Sequence, residues 1–373
     1  MQVKREIRSL TGLRGVAAVY VVIFHYVPGV GMSNPLTTLL AHGYLAVDLF
    51  FVLSGFVMAL NYGHLFETRI SLLAYRTFLG RRIARIYPLY FAGTLAGFGL
   101  VEAALIEPLH SGSTSGNLLA NLLMVQEWGV GQSYDPPAWS ISTEWAAYLL
   151  FPLLVVPSVL RGRLSALIVL CASIATVTFL CYAPLFQSGR ASADGLIDLH
   201  TYLGTGVIRC IAEFALGLVA FRFAEKKAGA GQSGLPASLA CVVTIFFLLL
   251  RKGDLGFILA MPLLVVSLSS GESLPRRFLS LPAVEWLGLL SYSIYLIHDL
   301  MGGLLAWIHT HATALHIPHA QTAGAVVCFV LTFPVAWLAY TFIEVPGRRL
   351  LRDLFEKRTP ATANIGTLRD GAL

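Results

Sequence analysis

Long apolar runs separated by short polar segments fill most of the chain. We interpret ten of these runs as helices that cross a bilayer, whose core needs roughly 20 apolar residues per helix, although the seventh and the eighth run are short. They extend approximately over residues 10–27, 44–60, 86–104, 139–160, 164–185, 203–221, 237–250, 255–268, 286–308 and 323–343. The pattern predicts an all-α, polytopic integral membrane protein with about ten transmembrane helices.

Lys and Arg residues are concentrated in alternate connecting segments. With the N-terminus in the cytoplasm, the predicted cytoplasmic segments contain 21 of the 26 Lys and Arg residues. Positive charge is enriched on the cytoplasmic side of membrane proteins, so we expect both termini to be cytoplasmic. The basic, then apolar, start of the chain also resembles a secretory signal. Because Arg14 interrupts its apolar run, we expect a retained first span instead.

The composition agrees with a membrane protein. Hydrophobic residues make up 56% of the 373 residues, charged residues 12%, and the mean hydropathy is +0.73. The net charge of +6 therefore reflects membrane topology, and no nucleic-acid partner is expected. The five cysteines form no CxxC pair, which favours thiols that face lipid or the protein core.

The first span, "LTGLRGVAAVYVVIFHY", carries Arg14 and His25. Eleven residues at about 100° per residue return to within roughly 20° of the start, so both side chains project from one helix face, roughly 16 Å apart along the axis. Ionisable side chains inside a membrane are costly and are default candidates for function. The alternative is that Arg14 reaches lipid head groups and His25 is a satisfied buried histidine.

Two carboxylates are predicted at the outer level of His25. Asp48 lies about one turn into the second span, and Glu144 lies one turn into the fourth, where Ser140, Glu144 and Tyr148 follow each other at steps of four. Either carboxylate could orient His25 as a general base. Both are equally explained as acids near a helix N-terminus that complement the helix dipole.

Further polar residues occupy the third and ninth spans. Arg82 and Arg85 in "GRRIARIYPLY" lie on one helix face, a spacing that suits a phosphate ligand, although ordinary cytoplasmic positive charge explains them as well. The stretch "LSYSIYLIHDL" places a second set on one face of the ninth span, namely Ser291, Tyr295 and His298.

The C-terminal part suggests neither a metal site nor a further domain. Four histidines crowd the last outer loop, at positions 309, 311, 316 and 319, but no carboxylate joins them, and we predict no metal. Residues 1–349 are predicted to form the transmembrane domain. Residues 350–373 are predicted to form a cytoplasmic tail that is disordered at its end, because its last residues have no apolar period.

Five motifs in this order resemble membrane acyltransferase family 3, whose members include bacterial O-acetyltransferases of carbohydrates. The motifs are "LTGLRGVAAVYVVIFH", "VDLFFVLSGF", "RRIARIYPLY", "WSISTEW" and "SYSIYLIH". The resemblance implies acyl transfer from acyl-coenzyme A, usually acetyl, to a sugar hydroxyl. It implies that Arg14 and His25 are required for activity and that Arg82 and Arg85 are associated with the donor. It also implies the bacterial inner membrane.

These residues suggest a mechanism as a hypothesis. Coenzyme A phosphates would bind Arg82, Arg85 and Arg14, and the pantetheine arm would reach His25. His25, oriented by Asp48 or Glu144, would be the base. Acceptor binding or oxyanion stabilisation is predicted for Ser140, Tyr148, Ser291, Tyr295 and His298. No bound cofactor is expected, only acyl-CoA as donor, a carbohydrate acceptor and the lipid bilayer. The alternative function is a transporter or a flippase of a lipid-linked saccharide, and the sequence indicates no oligomeric state.

Overall fold

The structure is a computed structural model, which describes residues 7–27, 32–103, 115–182, 204–227, 235–314 and 320–357. Within these residues the regular elements are helices, joined by short 3₁₀ and π-helical turns. The helices are α1 (Arg8–Tyr26), α2 (Pro35–Ala41), α3 (Ala46–Tyr62), α4 (Leu72–Glu102), α5 (Ser115–Leu122), α6 (Ala138–Val155), α7 (Arg163–Tyr182), α8 (Thr205–Lys227), α9 (Leu235–Leu248), α10 (Asp254–Ser269), α11 (Leu274–Leu279), α12 (Pro282–Ala314), α13 (Ala320–Ala339) and α14 (Val345–Lys357). The predicted all-α fold is confirmed.

The ten predicted spans coincide with α1, α3, α4, α6, α7, α8, α9, α10, α12 and α13. Six helical segments of the described chain are both long and apolar enough to cross a membrane, and α9 and α10 are shorter apolar helices. The membrane-protein class therefore stands, while the count of ten and the side of each terminus stay predictions.

The third predicted span is shorter than the helix that contains it. Ser71 accepts a hydrogen bond from the Ala74 backbone N–H at 3.1 Å, which satisfies a free donor at the start of α4. The helix therefore begins at Leu72, well before the predicted start at Ile86. Its first half carries the arginines of "RRIAR" as part of one continuous helix of 31 residues.

Glycines let two helix pairs approach closely. Between α1 and α12, a Cβ on Gly15 would lie 2.5 Å from the Gly288 nitrogen, and a Cβ on Gly288 would lie 2.0 Å from the Thr11 carbonyl oxygen. Between α3 and α8, a Cβ on Gly55 would lie 1.9 Å from the Phe214 carbonyl oxygen. Small residues at such contacts allow backbones to meet inside a membrane. The first contact brings His25 of α1 next to His298 of α12, and the second brings Asp48 of α3 next to Arg209 of α8.

The last described helix, α14, continues the chain beyond α13 and packs against α4. Residues 350–357 of the predicted tail are helical, and residues 358–373 lie outside the described part. Leu350 and Leu354 are exposed on one side of α14, and Arg349 and Arg352 are exposed on another. This three-sided pattern, with the third side against the protein, is typical of a helix that lies along a membrane surface.

Candidate active site

Arg82 and Tyr148 join α4 to α6. The Arg82 guanidinium donates a hydrogen bond to the Tyr148 hydroxyl at 2.7 Å and lies 4.6 Å from the centroid of its ring. The Tyr148 hydroxyl donates to the Glu144 carboxylate at 2.5 Å. Nearby, Phe78 stacks on Phe151 with 4.5 Å between centroids, which supports the register of the two helices. Three predicted site residues thus form one hydrogen-bonded chain.

Arg85 is held by a buried carboxylate that the sequence analysis missed. Its guanidinium forms an ion pair with Glu344, whose side chain is only 1% exposed. The other Glu344 oxygen accepts a hydrogen bond from the Ser293 hydroxyl at 2.7 Å. The guanidinium also lies 5.5 Å from the centroid of the Tyr292 ring. Glu344 closes the π-helical turn between α13 and α14, so the end of one helix neutralises an arginine of another.

Four arginines gather around this end of the site, and we call them the arginine cluster. Arg85 interacts electrostatically with the other three, Arg14, Arg82 and Arg348. Two carboxylates, Glu144 and Glu344, lie among these arginines. The cluster therefore carries more positive than negative charge. Guanidinium groups in excess at a partly buried site fit a phosphate ligand, which they bind with charge-assisted hydrogen bonds.

Ser140 of α6 and Tyr295 of α12 meet between the two helices. Ser140 lies one turn before Glu144 along α6. The Ser140 hydroxyl donates to the Tyr295 hydroxyl at 2.9 Å, and the Pro137 carbonyl oxygen lies slightly farther away, at 3.1 Å. Both side chains are buried. In this arrangement the Tyr295 hydroxyl accepts a hydrogen bond and retains its own proton as a donor.

His25 and His298 form a pair at the other end of the site. Their ring centroids are 4.7 Å apart and the rings meet edge to face. The Nδ1 of His25 lies 2.9 Å from the Val21 carbonyl oxygen, and the Nδ1 of His298 lies 2.5 Å from the Tyr295 carbonyl oxygen. A carbonyl oxygen only accepts, so in the neutral rings each Nδ1 carries the proton and each Nε2 offers a lone pair.

The two histidines differ in exposure. His25 is exposed, whereas His298 is fully buried and its Nε2 has no hydrogen-bond partner among the described residues. The carboxylate that interacts electrostatically with His25 is Asp299, the neighbour of His298 in "IHDL". A carboxylate in this position stabilises an imidazolium. His25 is therefore the ring of the pair that a molecule from outside the protein can reach, with His298 behind it.

These contacts form a polar column through the helices. Tyr148, Glu144 and Ser140 occupy successive turns of α6, about 6 Å apart. On α12, the Tyr295 and His298 rings lie 5.7 Å apart between centroids. We use the name polar column for Arg82, Tyr148, Glu144, Ser140, Tyr295, His298 and His25. The column leads from the arginine cluster to the histidine pair.

Asp48 does not belong to the column, which corrects the predicted contact with His25. Its carboxylate forms an ion pair with Arg209 of α8, and both side chains are 1% exposed. Arg209 Nε also bonds Glu213 at 2.9 Å, one turn along the same helix. The close contact of α3 with α8 carries Asp48 toward this arginine. Glu144 accepts a hydrogen bond from Tyr148, and the described residues show no contact between Glu144 and His25.

A second buried group adjoins these three residues. His42 Nε2 lies 3.3 Å from the Asp254 carboxylate, and the Tyr44 hydroxyl donates to Asp254 at 2.6 Å. Asp254 and Asp48 interact electrostatically. We call Asp48, Arg209 and Glu213, together with His42, Tyr44 and Asp254, the Arg209 cluster. It contains three carboxylates and a single arginine, all buried.

The structure also shows the surroundings of Ser291 and of some of the loop histidines. The Ser291 hydroxyl donates to the Gly288 carbonyl at 2.8 Å within its own helix, so it is satisfied there and makes no hydrogen bond to the polar column. Of the loop histidines, His316 and His319 lie outside the described residues, and His311 bonds the Trp307 carbonyl one turn earlier at 2.9 Å. The described residues contain no group of three or more His, Cys, Asp or Glu that could hold a metal ion.

Asp135 is a further buried carboxylate without a cation. It precedes α6, outside the predicted spans, and neither oxygen has a hydrogen-bond partner among the described residues. Burial raises the pKa of Asp135 well above its ordinary value, and the Asp299 carboxylate raises it further. The position was visible in "YDPPAW" only as a polar residue before a helix, a place where acids are common.

Comparisons with known proteins agree on one class. A family model described as an acyltransferase domain matches residues 7–341. The chain is 30% identical to the acyltransferase MdmB of Streptomyces mycarofaciens, over 95% of this chain and 94% of the relative. No solved structure matches the chain.

Two further relatives are longer proteins. The chain is 25% identical to the O-acetyltransferase OatA of Staphylococcus aureus over 92% of its own length and 58% of OatA. It is 26% identical to YrhL of Bacillus subtilis, which carries a provisional name as a peptidoglycan O-acetyltransferase, over 92% of this chain and 55% of YrhL. The chain thus spans little more than half the length of these two relatives.

Proposed function

Because the chain belongs to acyltransferase family 3, we propose that it transfers an acyl group, in the simplest case acetyl, from acyl-coenzyme A to a carbohydrate hydroxyl. It is a membrane acyltransferase, and the family decides against the transporter and flippase alternative. The observation that carries the proposal is the polar column, which leads from the arginine cluster, a group suited to phosphate, to the histidine pair.

The arginine cluster is suited to the phosphates of coenzyme A. Its excess of guanidinium groups complements a polyanion. The direct hydrogen-bond partner of Arg82 is the Tyr148 hydroxyl, which is neutral and does not offset the charge of the guanidinium. Arg14 and His25 are separated by roughly 16 Å along α1, a length comparable with an extended pantetheine arm. With the phosphates on the arginines, the thioester would reach the histidine pair.

His25 fits the role of general base. Its Nδ1 proton points to the Val21 carbonyl, so Nε2 can take the proton of the acceptor hydroxyl as that oxygen attacks the thioester carbon. The C–O bond forms, the C–S bond breaks, and the imidazolium returns the proton to the departing thiolate. Asp299 stabilises the imidazolium between these steps. The Tyr295 hydroxyl, supported by Ser140, is placed to donate to the oxyanion.

The direction of transfer follows from the charge distribution of the sequence. The enrichment of positive charge on the cytoplasmic side supports a cytoplasmic position for the arginine cluster, where coenzyme A is available, and an outward position for the histidine pair. We therefore propose a multi-pass protein of a bacterial inner membrane that modifies an envelope or exported carbohydrate. The names of OatA and YrhL support an O-acetyl product, and that of YrhL suggests peptidoglycan as one acceptor to test.

The proposal is tested with purified protein in detergent, radiolabelled acetyl-CoA and a panel of acceptors that includes peptidoglycan fragments and exopolysaccharide. We expect wild type to label one acceptor class at a hydroxyl. The His25→Ala variant should lose the activity by about 10²- to 10⁴-fold, the usual contribution of a general base.

His311→Ala is the matched control. Like His25, His311 is exposed and bonds a carbonyl one turn earlier, but it lies outside the polar column. It should keep wild-type activity. Equal activity of His25→Ala and wild type would exclude the base role. Failure of wild type to consume any acyl-CoA would overturn the proposed donor.

A further inference from the structure

We propose that Arg348 of α14 is a donor-binding residue that completes a four-arginine site for the phosphate groups of acyl-coenzyme A. The proposal rests on the proposed function and extends it to a helix beyond the family-model match, which ends at residue 341. None of the motifs that carry the resemblance contains Arg348. Its role is inferred from packing and charge.

Packing carries Arg348 to the arginine cluster. On one side of α14, a Cβ on Gly347 would lie 2.5 Å from Pro88 Cβ, and two turns later Phe355 lies against Gly80, with its Cγ 3.1 Å from where a Cβ would be. Residues 80 and 88 are also two turns apart, so α14 and α4 run antiparallel in close contact. Arg348 follows Gly347 directly.

Charge gives Arg348 a role distinct from that of Arg85. The ion pair with Glu344 neutralises Arg85. Arg348 is only partly exposed, and no hydrogen bond or ion pair involves its side chain within the described part of the chain. It nevertheless interacts electrostatically with Arg85. Arg348 therefore adds an uncompensated positive charge to a cluster that already has an excess.

Like charges gathered on packed helices repel each other, and an anion at the same place removes that cost. Arg348 adds one positive charge beside Arg82 and the Arg85–Glu344 ion pair, and this charge complements a phosphate group. The phosphate of a lipid head group offers the same chemistry, since α14 also has the pattern of a membrane-surface helix. The experiment separates these two sources.

The experiment compares two donors in wild type, Arg348→Gln and Arg349→Gln. Acetyl-CoA carries the phosphates, and S-acetyl-pantetheine lacks them. We expect Arg348→Gln to raise the KM and the Kd for acetyl-CoA by tenfold or more while leaving the KM for S-acetyl-pantetheine unchanged. Arg349→Gln, an exposed neighbour on another side of α14, should behave as wild type with both donors.

The membrane arm repeats the binding measurement in nanodiscs of purely zwitterionic lipid and in nanodiscs with anionic lipid. Dependence of the Arg348→Gln defect on anionic lipid would overturn the proposal in favour of a lipid head group. An unchanged Kd for acetyl-CoA, or an equal loss with both donors, would also overturn it.

If Arg348→Gln does not fold, Arg348→Lys, which keeps the charge, and inhibition of wild type by pyrophosphate replace it. Wild type inactive with both donors would instead contradict the proposed function itself.

Discussion

Two groups of arginines and carboxylates lie in the same helical molecule, and they differ in charge balance and access. In the Arg209 cluster, one arginine faces three carboxylates, and its side chain is 1% exposed. In the arginine cluster, four arginines face two carboxylates, and Arg85 is 17% exposed. The first group is closed within the protein, and the second has both the positive charge and the access that an anionic ligand requires.

This difference shows that an ionisable residue in an apolar helix is not by itself a sign of catalysis. Asp48 is fully buried in an apolar helix, and its charge is paired with the Arg209 guanidinium of the protein itself. Its cluster joins α3, α8 and α10, where breaking a pair leaves an unpaired buried charge. An ion pair closed off between helices holds them together, whereas positive charge in excess at an accessible place marks the place for an anionic ligand.

The largest expected effect is on stability, in the Arg209 cluster. Arg209→Met leaves Asp48 and Glu213 buried without their cation, which should lower the free energy of unfolding by about 3–5 kcal/mol. Unfolding in detergent, followed by tryptophan fluorescence, measures this loss. Activity per folded molecule should stay close to wild type.

The triple variant Arg209→Met, Asp48→Asn, Glu213→Gln is the control for this prediction. It removes the unpaired charges and should recover much of the lost stability. If Arg209→Met is as stable as wild type, the Arg209 cluster does not stabilise the fold. If Arg209→Met stays folded but cannot transfer acyl groups, the Arg209 cluster belongs to the active site. Either result would remove the difference between the two clusters.

The next effect is on geometry between α1 and α12. Gly288→Leu has no room against the Thr11 backbone, so α1 should move away from α12 and separate His25 from His298. A displacement near 1 Å costs on the order of 10²-fold in rate. Turnover with saturating donor measures it. Gly99→Leu, where nothing lies within 4 Å, should retain activity, and equal rates for the two variants would contradict the packing argument.

A smaller effect separates structural pairing from donor binding at Arg85. Arg85→Gln alone leaves Glu344 buried and unpaired, so it should lose both stability and donor affinity. The double variant Arg85→Gln, Glu344→Gln should regain stability but not affinity, with Kd for acetyl-CoA still raised about tenfold. Titration calorimetry and thermal unfolding on the same samples measure both. Recovery of affinity together with stability would reduce Arg85 to a structural residue.

The smallest effect concerns the pH dependence of stability at Asp135. Burial raises its pKa in the folded protein, so above an ordinary value of about 4 the folded state keeps a proton that the unfolded chain has lost. Stability is then fully present at lower pH and falls as the pH rises toward the folded pKa. Asp135→Asn should flatten this fall, measured as Tm between pH 5 and 8.

Glu272→Gln is the control for the pH experiment. Glu272 is exposed, and its hydrogen bond from Arg277 lowers its pKa, which is the opposite direction. It should not flatten the slope. Identical slopes for Asp135→Asn and wild type would show that Asp135 is ionised at low cost.

The sequence predicted the individual helices better than the contacts between them. Apolar runs and the helical period placed Arg14 and His25 on one face of α1, because those are properties of a single helix. The partner of Asp48 lies 161 positions away, and only the i, i+4 pair Arg209 and Glu213 inside an apolar run hinted at it. Contacts between helices depend on which helices pack together, and that is decided by the whole bundle.

The same limit explains the other missed residues. Glu344 stands at the end of the last span, where an acid looks like a boundary residue, and the π-helical turn that directs it inward has no clear sequence signal. Asp299 was passed over beside His298, although its position in the same motif could have raised it as the carboxylate near His25.

We expect the donor to lie along the polar column and away from the Arg209 cluster. An acetyl-CoA analogue with a photoreactive diazirine in its acyl group tests it, with adducts located by mass spectrometry of peptides. We predict adducts on α12 around Tyr295 and His298 and on α1 near His25, suppressed by excess acetyl-CoA. Adducts on α8 or α10 beside Arg209, with none on α1, α6 or α12, would contradict it.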